Sequence, residues 1–164
     1  MKKRQSGVLM HISSLPGKYG IGSFGQAAYD FVDFLVRTKQ RYWQILPLGT
    51  TSYGDSPYQS FSAFAGNTHF IDFDLLIDQG LLDASDVEGV DFGQDPTEVD
   101  YAKIFEQRRH LLEKAVKAFI ENGDWDDFSR FAEENAAWLE LFAEYMAIKE
   151  HFELKAWTEW PDAA

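Results

Sequence analysis

The chain has 164 residues and no cysteine, and its 15 Lys and Arg residues against 27 Asp and Glu residues give a formal net charge of −12. The acidic balance argues against binding to nucleic acids or anionic membranes, which need basic patches, and the lack of cysteine excludes disulfides, thiol catalysis and Cys-ligated metals. No stretch of the sequence approaches the roughly 18 apolar residues of a membrane span, so we expect a cytoplasmic protein.

Two short, nearly continuous apolar runs near the start of the chain predict β-strands: GVLMHI at 7–12 and YWQIL at 42–46. Such runs are typical of strands that are buried on both faces, as in parallel sheets. The residues between them predict a helix, with a capping box formed by Ser23 and Gln26. Four apolar residues share one face of that helix: Ala27, Phe31, Phe34 and Leu35. We therefore expect a β–α–β unit with a parallel, right-handed crossover.

The middle of the chain predicts one further strand and then a long connection. The strand is predicted at 69–73, where apolar and polar residues alternate. Asp72 and Asp74 form either a solvated strand end, which we favour, or a carboxylate pair for glycosidic or metal chemistry. Residues 83–100 are acidic and rich in turn formers, which indicates a connecting segment with little regular structure.

Two long helices are predicted in the second half of the chain, at 97–121 and 125–154, because apolar residues recur there at spacings of three and four. The first ends at Asn122-Gly123, which predicts a left-handed stop. The second begins after Asp124, which predicts an N-cap. The second helix carries an apolar stripe that we expect to form a core: Phe128, Phe131, Trp138, Leu139, Phe142, Tyr145 and Met146.

The predicted elements do not complete a sheet. Two or three strands with one crossover helix leave a parallel sheet open, whereas an α/β barrel has eight strands and typically about 250 residues. The chain also stops at AWTEWPDAA, directly after a helical pattern. We therefore expect it to be an N-terminal piece of a longer α/β protein.

The segment GTTSYGDSPYQ at 49–59 is the main candidate for a binding site, because it directly follows the second predicted strand. Loops at the carboxyl ends of parallel strands build active sites. A sugar offers apolar C–H faces and a fringe of hydroxyls, so an aromatic plate with short polar side chains suits it. Three residues supply that mixture on a backbone restricted by a glycine and a proline: Tyr53, Ser56 and Tyr58. The alternative is a packed structural loop whose tyrosines only support their neighbours.

Other residues admit chemical roles that the sequence leaves open. Asp55 fits a general acid, a general base or a sugar ligand, although a turn-forming Asp is the simpler interpretation. His11, near the end of the first strand, fits either a site residue or a buried imidazole with satisfied hydrogen bonds. GIGSFG at 20–25 matches G-x-G-x-x-G, but it lies several residues after the strand and no acidic residue ends the second strand. Nucleotide binding is therefore the less favoured alternative.

Three stretches resemble one family of enzymes: SSLPGKYGIGSFG, WQILPLGTTSYGDSPYQSFSAFAGN and FIDFDLL. They are similar to the N-terminal segment of the 4-α-glucanotransferases, which are also called amylomaltases or disproportionating enzymes. The resemblance is strongest over residues 7–82. It continues more weakly over 83–160, through VDY at 99–101 and WTEWP at 157–161.

The resemblance implies an α/β fold, the N-terminal part of a (β/α)8 TIM barrel with a mainly helical inserted subdomain. Residues 1–82 would hold the first strands and helix of the barrel, and residues 83–164 the acidic connector and the inserted subdomain. The implied activity is transfer of α-1,4-glucan segments between maltooligosaccharides, with retention of configuration through a glycosyl-enzyme. No metal or organic cofactor is implied, and the partner is a maltooligosaccharide or α-1,4-glucan, with no nucleic acid and no membrane.

The resemblance also assigns roles to individual residues. Tyr58 is similar to the ring that stacks on a glucose next to the scissile bond, and Ser56 to a hydroxyl-binding neighbour. Tyr53, and more weakly Tyr101 in its VDY context, resemble an accessory glucan contact away from the catalytic centre. Nothing in the chain matches the family's catalytic carboxylates, so we expect no catalytic residue in it, and this piece alone should be inactive. The alternative is a free-standing, non-catalytic maltooligosaccharide-binding module that uses the same loop.

Overall fold

The chain folds into two compact units. The computed structural model describes residues 4–51 and 54–161. The first unit comprises the described residues up to Phe61 together with Gly66–Gly123, and the second comprises Ser62–Ala65 and the described residues from Asp124 onward. Within the described ranges, no helix combines the length and the apolar character needed to cross a membrane.

The start of the first unit is a β–α–β motif, as predicted. Strand β1 (Gly7–Leu9) and strand β2 (Tyr42–Gln44) pair in parallel, with Val8 opposite Trp43. Helix α1 (Gln26–Arg37) connects them. The prediction of strands buried on both faces is wrong for the described chain: Leu9 is 60% and Tyr42 is 59% exposed. The described sheet has two strands, so each is an edge with a largely uncovered face.

The start of helix α1 differs from the predicted capping box. The N-cap is Gly25, and it makes no side-chain capping bond. The Ser23 hydroxyl instead donates to a carboxylate oxygen of Asp72. That carboxylate lies so close to Gly25 that a Cβ atom there would overlap it. The box fails because a charged acceptor from another part of the chain takes the Ser23 proton, and charge-assisted hydrogen bonds are the stronger kind.

The predicted apolar face of α1 is partly correct. Leu35 is buried, and Ala27 and Phe31 pack against the hydrophobic core. The Phe31 ring contacts Trp43 edge-on at 4.9 Å between ring centroids, which joins the helix to strand β2. Phe34 is 43% exposed, so this residue does not belong to the buried face.

The predicted strand at 69–73 is wrong. Residues Thr68–Phe70 form a 3-10 helix, and helix α2 follows at Phe73–Asp78. The Asn67 side chain accepts from the backbone N–H of His69 at 2.9 Å, and Asp72 Oδ1 accepts from the N–H of Leu75 at 3.3 Å. These two caps satisfy backbone donors at each helix start, so local capping prevails over the alternating pattern.

The connecting segment and the first long helix follow the prediction with two differences. A short helix, α3 (Ala84–Val87), interrupts the turns of the connection. Helix α4 spans Tyr101–Asn122, with Asp100 accepting from the N–H of Lys103 at 3.2 Å. The predicted left-handed stop is wrong, because Gly123 has a φ of −76° and is extended. The chain passes directly from this extended residue into the N-cap of the next helix.

The second unit is built mainly on helix α5, Trp125–His151, as predicted. The Asp124 carboxylate accepts from the N–H groups of Asp126 and Asp127 at 3.0 and 3.1 Å, which confirms the predicted cap. The stripe predicted as core is only partly covered: Phe131 is 50% exposed. One long helix with the short segments described beside it has too little surface to cover a stripe of this length. A 3-10 helix at Trp157–Glu159 follows.

Two hydrophobic clusters form the core of the first unit, and helix α4 contributes to both. The buried members of the first cluster are Ile12, Leu15, Ile21, Ala28, Phe70 and Ile104. Those of the second are Tyr19, Phe73, Leu82, Phe92, Leu111 and Ala115. Each cluster therefore combines residues distant in sequence, and α4 links the loop after β1 to the segment around α2.

A buried cation, Arg108, lies among these elements on α4. It has no exposed surface, and its guanidinium donates to the carbonyl oxygens of Tyr19, at 3.4 Å, and of Ile71. The guanidinium carbon lies 4.1 Å from the ring centroid of Phe73, a cation–π contact. Burial lowers the pKa of Arg108 to about 10, so the group stays charged at neutral pH. Arg108 thus ties the loop after β1 and the segment before α2 to the same helix.

His69 gives the stability of the first unit a pH dependence. Burial, with a smaller contribution from the Arg108 guanidinium, lowers the pKa of His69 from 6.5 to about 4. Because the unfolded chain then binds a proton more readily than the folded chain, stability is lost as the pH falls from 6.5 towards 4. The full shift corresponds to about 3 kcal/mol, since one pKa unit is worth about 1.4 kcal/mol.

We expect the His69→Gln variant to lack most of this acid sensitivity. Urea unfolding at two pH values, near neutrality and about two units lower, measures the free energy of unfolding. The wild type should lose about 2 kcal/mol more than the variant between them. His110→Gln is the matched control, because His110 is exposed on α4, and it should behave like the wild type. An equal loss in all three proteins would contradict the role given to His69.

Candidate functional site

The segment after β2 forms a loop whose two ends lie side by side. Gly49 and Gly66 form an antiparallel bridge, and the N–H of Asn67 donates to the carbonyl of Leu48 at 2.8 Å. These contacts form a neck at the base of the loop. Beyond the neck, the hydroxyls of Thr50 and Ser60 lie 3.3 Å apart. The loop is therefore fixed at its base, at the end of β2 where the parallel pairing stops.

A tight turn within this loop presents one aromatic ring to solvent. Gly54 and Asp55 both have left-handed backbones, with φ angles of 84° and 53°. Ser56 then accepts twice: its carbonyl from the N–H of Gln59 at 3.0 Å, and its Oγ from the N–H of Tyr58 at 3.3 Å. The backbone is thus held by its own hydrogen bonds while the Tyr58 side chain is 72% exposed.

The structure brings the sequence-predicted site residues into two groups. Ser56 and Tyr58 share the turn and are joined by a hydrogen bond. Tyr101 begins α4, is half-buried, and packs against the first core cluster. Burial raises the pKa of the Tyr101 phenol, and the negative charge of Asp55 raises it further. Tyr101 forms the second group by itself. Tyr53 lies outside the described residues.

Sequence reasoning missed the surroundings of Asp55. The left-handed backbone agrees with the turn-forming interpretation. Its side chain is half-buried, and burial raises the pKa of Asp55. The motif G-D-S signals a turn, but no local pattern could indicate that this carboxylate would be half-buried or that its charge would act on Tyr101 of helix α4.

The other two carboxylates considered in the sequence, Asp72 and Asp74, both accept hydrogen bonds from other residues of the chain. Asp72 caps α2 and accepts from Ser23. Asp74 accepts from Lys18 Nζ at 2.8 Å and from the Tyr19 hydroxyl at 2.5 Å, and these two bonds lower the pKa of Asp74. Among residues 4–51 and 54–161, no group of three or more His, Asp or Glu side chains is arranged to hold a metal ion.

Close packing explains all three glycines of GIGSFG, since Gly20 and Gly22 are as closely packed as Gly25. A Cβ atom on Gly20, which has a φ of 75°, would overlap the carbonyl of Phe92, and one on Gly22 would overlap the carbonyl of Ile12. A cavity of about 810 Å³ lies near this segment, lined by residues 13–18, 20–22 and 90–99. Of the sequence-predicted glucan contacts that the structure describes, namely Ser56, Tyr58 and Tyr101, none belongs to that lining.

Comparison with known proteins decides the family. Residues 10–164 match the family described as 4-alpha-glucanotransferase. The chain belongs to this family. The resemblance seen in the sequence motifs is thereby confirmed, and it extends over the helical second half of the chain.

Relatives of this chain are about three times as long as the chain itself. It is 81% identical to the 4-alpha-glucanotransferase of Streptococcus pneumoniae serotype 4, over 99% of this chain and 32% of the relative. It is 43% identical to that of Thermus thermophilus, over 96% of this chain and 31% of the relative. The chain thus spans about a third of the length of the relatives it matches, as the incomplete sheet predicted.

A solved structure shares the fold of this chain. It is the amylomaltase from Streptococcus agalactiae in complex with acarbose, which is 61% identical. The TM-score is 0.93, and the match covers 98% of this chain and 32% of that chain. The mixed α/β arrangement described above is therefore that of the corresponding third of an amylomaltase.

Proposed function

We propose that this chain is the N-terminal part of a 4-α-glucanotransferase that transfers α-1,4-glucan segments between maltooligosaccharides, and that it supplies part of the glucan cleft. The observation that carries the proposal is the Tyr58 ring, 72% exposed on a hydrogen-bonded turn that follows a parallel strand. An exposed ring on a rigid turn can stack on the apolar face of a sugar without first being ordered.

The fold supports this placement of the cleft. Strands β1 and β2 with helix α1 have the parallel β–α–β arrangement from which a (β/α)8 barrel is built, and barrels bind substrates at the carboxyl ends of their strands. The loop with Tyr58 leaves the sheet at that end of β2. We propose that residues 1–82 belong to the barrel and residues 83–164 to a connector and a mainly helical inserted subdomain.

The proposed reaction is a retaining double displacement. One carboxylate attacks the anomeric carbon and forms a glycosyl-enzyme, while a second protonates the leaving sugar and later deprotonates the acceptor hydroxyl. Both carboxylates would lie on the remainder of the longer protein. In this chain, the Tyr58 ring would stack on a glucose next to the scissile bond, and the Ser56 hydroxyl would hydrogen-bond the sugar. A ring-lined surface favours a sugar acceptor over water.

A second contact with the glucan is proposed at the start of helix α4. Tyr101 would hold a distant part of a long glucan, and the family resemblance suggests the same role for Tyr53, which lies outside the described residues. The half-buried carboxylate of Asp55, whose charge acts on the Tyr101 phenol, supports a polar contact there, because carboxylates accept hydrogen bonds from sugar hydroxyls.

Disproportionation of maltotriose tests the proposal. A protein with this chain at its start and the full length of its relatives should convert two molecules of maltotriose into glucose and maltopentaose, with no net hydrolysis. Chromatography of the products measures the reaction, and the 164-residue chain alone is the control expected to be inactive. Failure of the longer protein to form glucose and maltopentaose would overturn the proposed function. Binding of maltooligosaccharides without transfer would favour a non-catalytic binding module.

A further inference from the structure

A buried histidine joins the ends of the two strands. His11 lies two residues after β1, and its side chain is 8% exposed. The backbone N–H of Leu46, which lies two residues after β2, donates to His11 Nδ1 at 3.3 Å. The imidazole therefore connects the two carboxyl ends of the parallel pair, at the point where the chain enters the loop with Tyr58.

The surroundings of His11 fix which nitrogen carries the proton. Because Nδ1 accepts a hydrogen bond, the neutral ring has its proton on Nε2. Burial lowers the pKa of His11, which favours this neutral form. The ring also contacts Phe70 edge-on, with 5.4 Å between ring centroids and an interplanar angle of 81°. The acceptor is thus held in one orientation.

His11 contacts both sides of the neck of the loop. On the outgoing side it accepts from Leu46, two residues before the Leu48 carbonyl that accepts from Asn67. On the returning side it packs against Phe70, in the 3-10 helix that Asn67 caps. Its ring is therefore the common support of the two segments that together fix the base of the loop.

We infer that His11 is a positioning residue, which places the loop carrying Ser56 and Tyr58 by holding its neck against the end of strand β1. The inference rests on the function proposed above. His11 itself is not proposed to contact the substrate. It acts through the hydrogen bond to Leu46 and through Phe70, so its effect is on where the Tyr58 ring lies relative to the sugar.

Substitutions at His11 test the inference, in a protein that begins with this chain and has the full length of its relatives. His11→Asn places a carbonyl oxygen close to the position of Nδ1, whereas His11→Gln places its polar atoms near Nε2. We expect His11→Gln and His11→Ala to lower kcat/KM for maltotriose by about tenfold, mainly through KM, because small displacements of a binding group weaken binding. We expect His11→Asn to remain within about threefold of the wild type.

Circular dichroism and urea unfolding at the assay temperature separate positioning from unfolding. The inference requires that His11→Gln and His11→Asn be equally folded and still differ in KM. The matched control is His110→Ala, an exposed histidine on α4, which should leave KM unchanged. Equal KM values for the Asn and Gln variants would overturn the inference, as would losses that merely follow the unfolded fraction. An inactive wild type would instead overturn the proposed function.

Discussion

Replacing Arg108 by alanine should lower the free energy of unfolding by about 3 kcal/mol. The variant loses two hydrogen bonds to the carbonyls of Tyr19 and Ile71 and the contact with the Phe73 ring. It also leaves those carbonyls without their donor and opens a cavity where a fully buried side chain stood. Urea unfolding followed by tryptophan fluorescence measures the change.

Two further variants identify the source of this loss. Arg108→Met fills most of the volume but offers no donor, so it should lie between the alanine variant and the wild type. Arg109→Ala is the adjacent control: Arg109 forms an exposed pair with Glu113 at 2.9 Å, so its loss should lower the free energy of unfolding far less than the loss of Arg108. Similar losses for Arg108→Ala and Arg109→Ala would show that the buried guanidinium does not hold the first unit together.

Consider a protein that begins with this chain and has the full length of its relatives. Replacing Tyr58 by alanine in that protein should lower kcat/KM for maltotriose by about 10- to 100-fold. The physical reason is the loss of a stacking surface that is already exposed and already ordered by the turn. Because the ring is 72% exposed, its removal should leave the unfolding midpoint nearly unchanged. Assays of glucose release over a range of maltotriose concentrations give kcat and KM separately.

Tyr58→Phe is the matched control for this prediction. It keeps the ring face and removes the hydroxyl, so its kcat/KM should remain within about threefold of the wild type if stacking is the main contribution. A loss as large as that of the alanine variant would assign the effect to the hydroxyl instead. Wild-type activity in Tyr58→Ala would remove this ring from the glucan cleft.

The elements that could be predicted from the sequence are those whose signals are local. The β–α–β motif and helices α4 and α5 follow from apolar periodicity, and the Asp124 cap follows from a single side chain next to its own helix. The strand at 69–73 failed because Asn67 and Asp72 cap helices there, and an alternating pattern over five residues also fits two capped helix starts. A long-range partner explains why the capping box at Ser23 failed, since Ser23 donates to a residue 49 positions away.

The same distinction applies to the candidate site. The turn that holds Ser56 and Tyr58 could be predicted because its signals lie within a few residues, whereas the role of these two residues as glucan contacts stays a prediction. The effect of the Asp55 charge on Tyr101 and the bond from Leu46 to His11 depend on how distant segments pack. No periodicity or spacing in the sequence encodes either interaction, so they emerge only from the folded chain.

The contact between Gly25 and Asp72 restricts how these two positions can change. The Asp72 carboxylate occupies the space that a side chain at position 25 would need, while it also accepts from Ser23 and caps helix α2. A substitution at position 25 would displace that carboxylate and weaken the start of a helix far along the chain. The two positions are therefore mutationally coupled: a larger residue at 25 becomes acceptable only with a shorter residue at 72 and a new cap for α2.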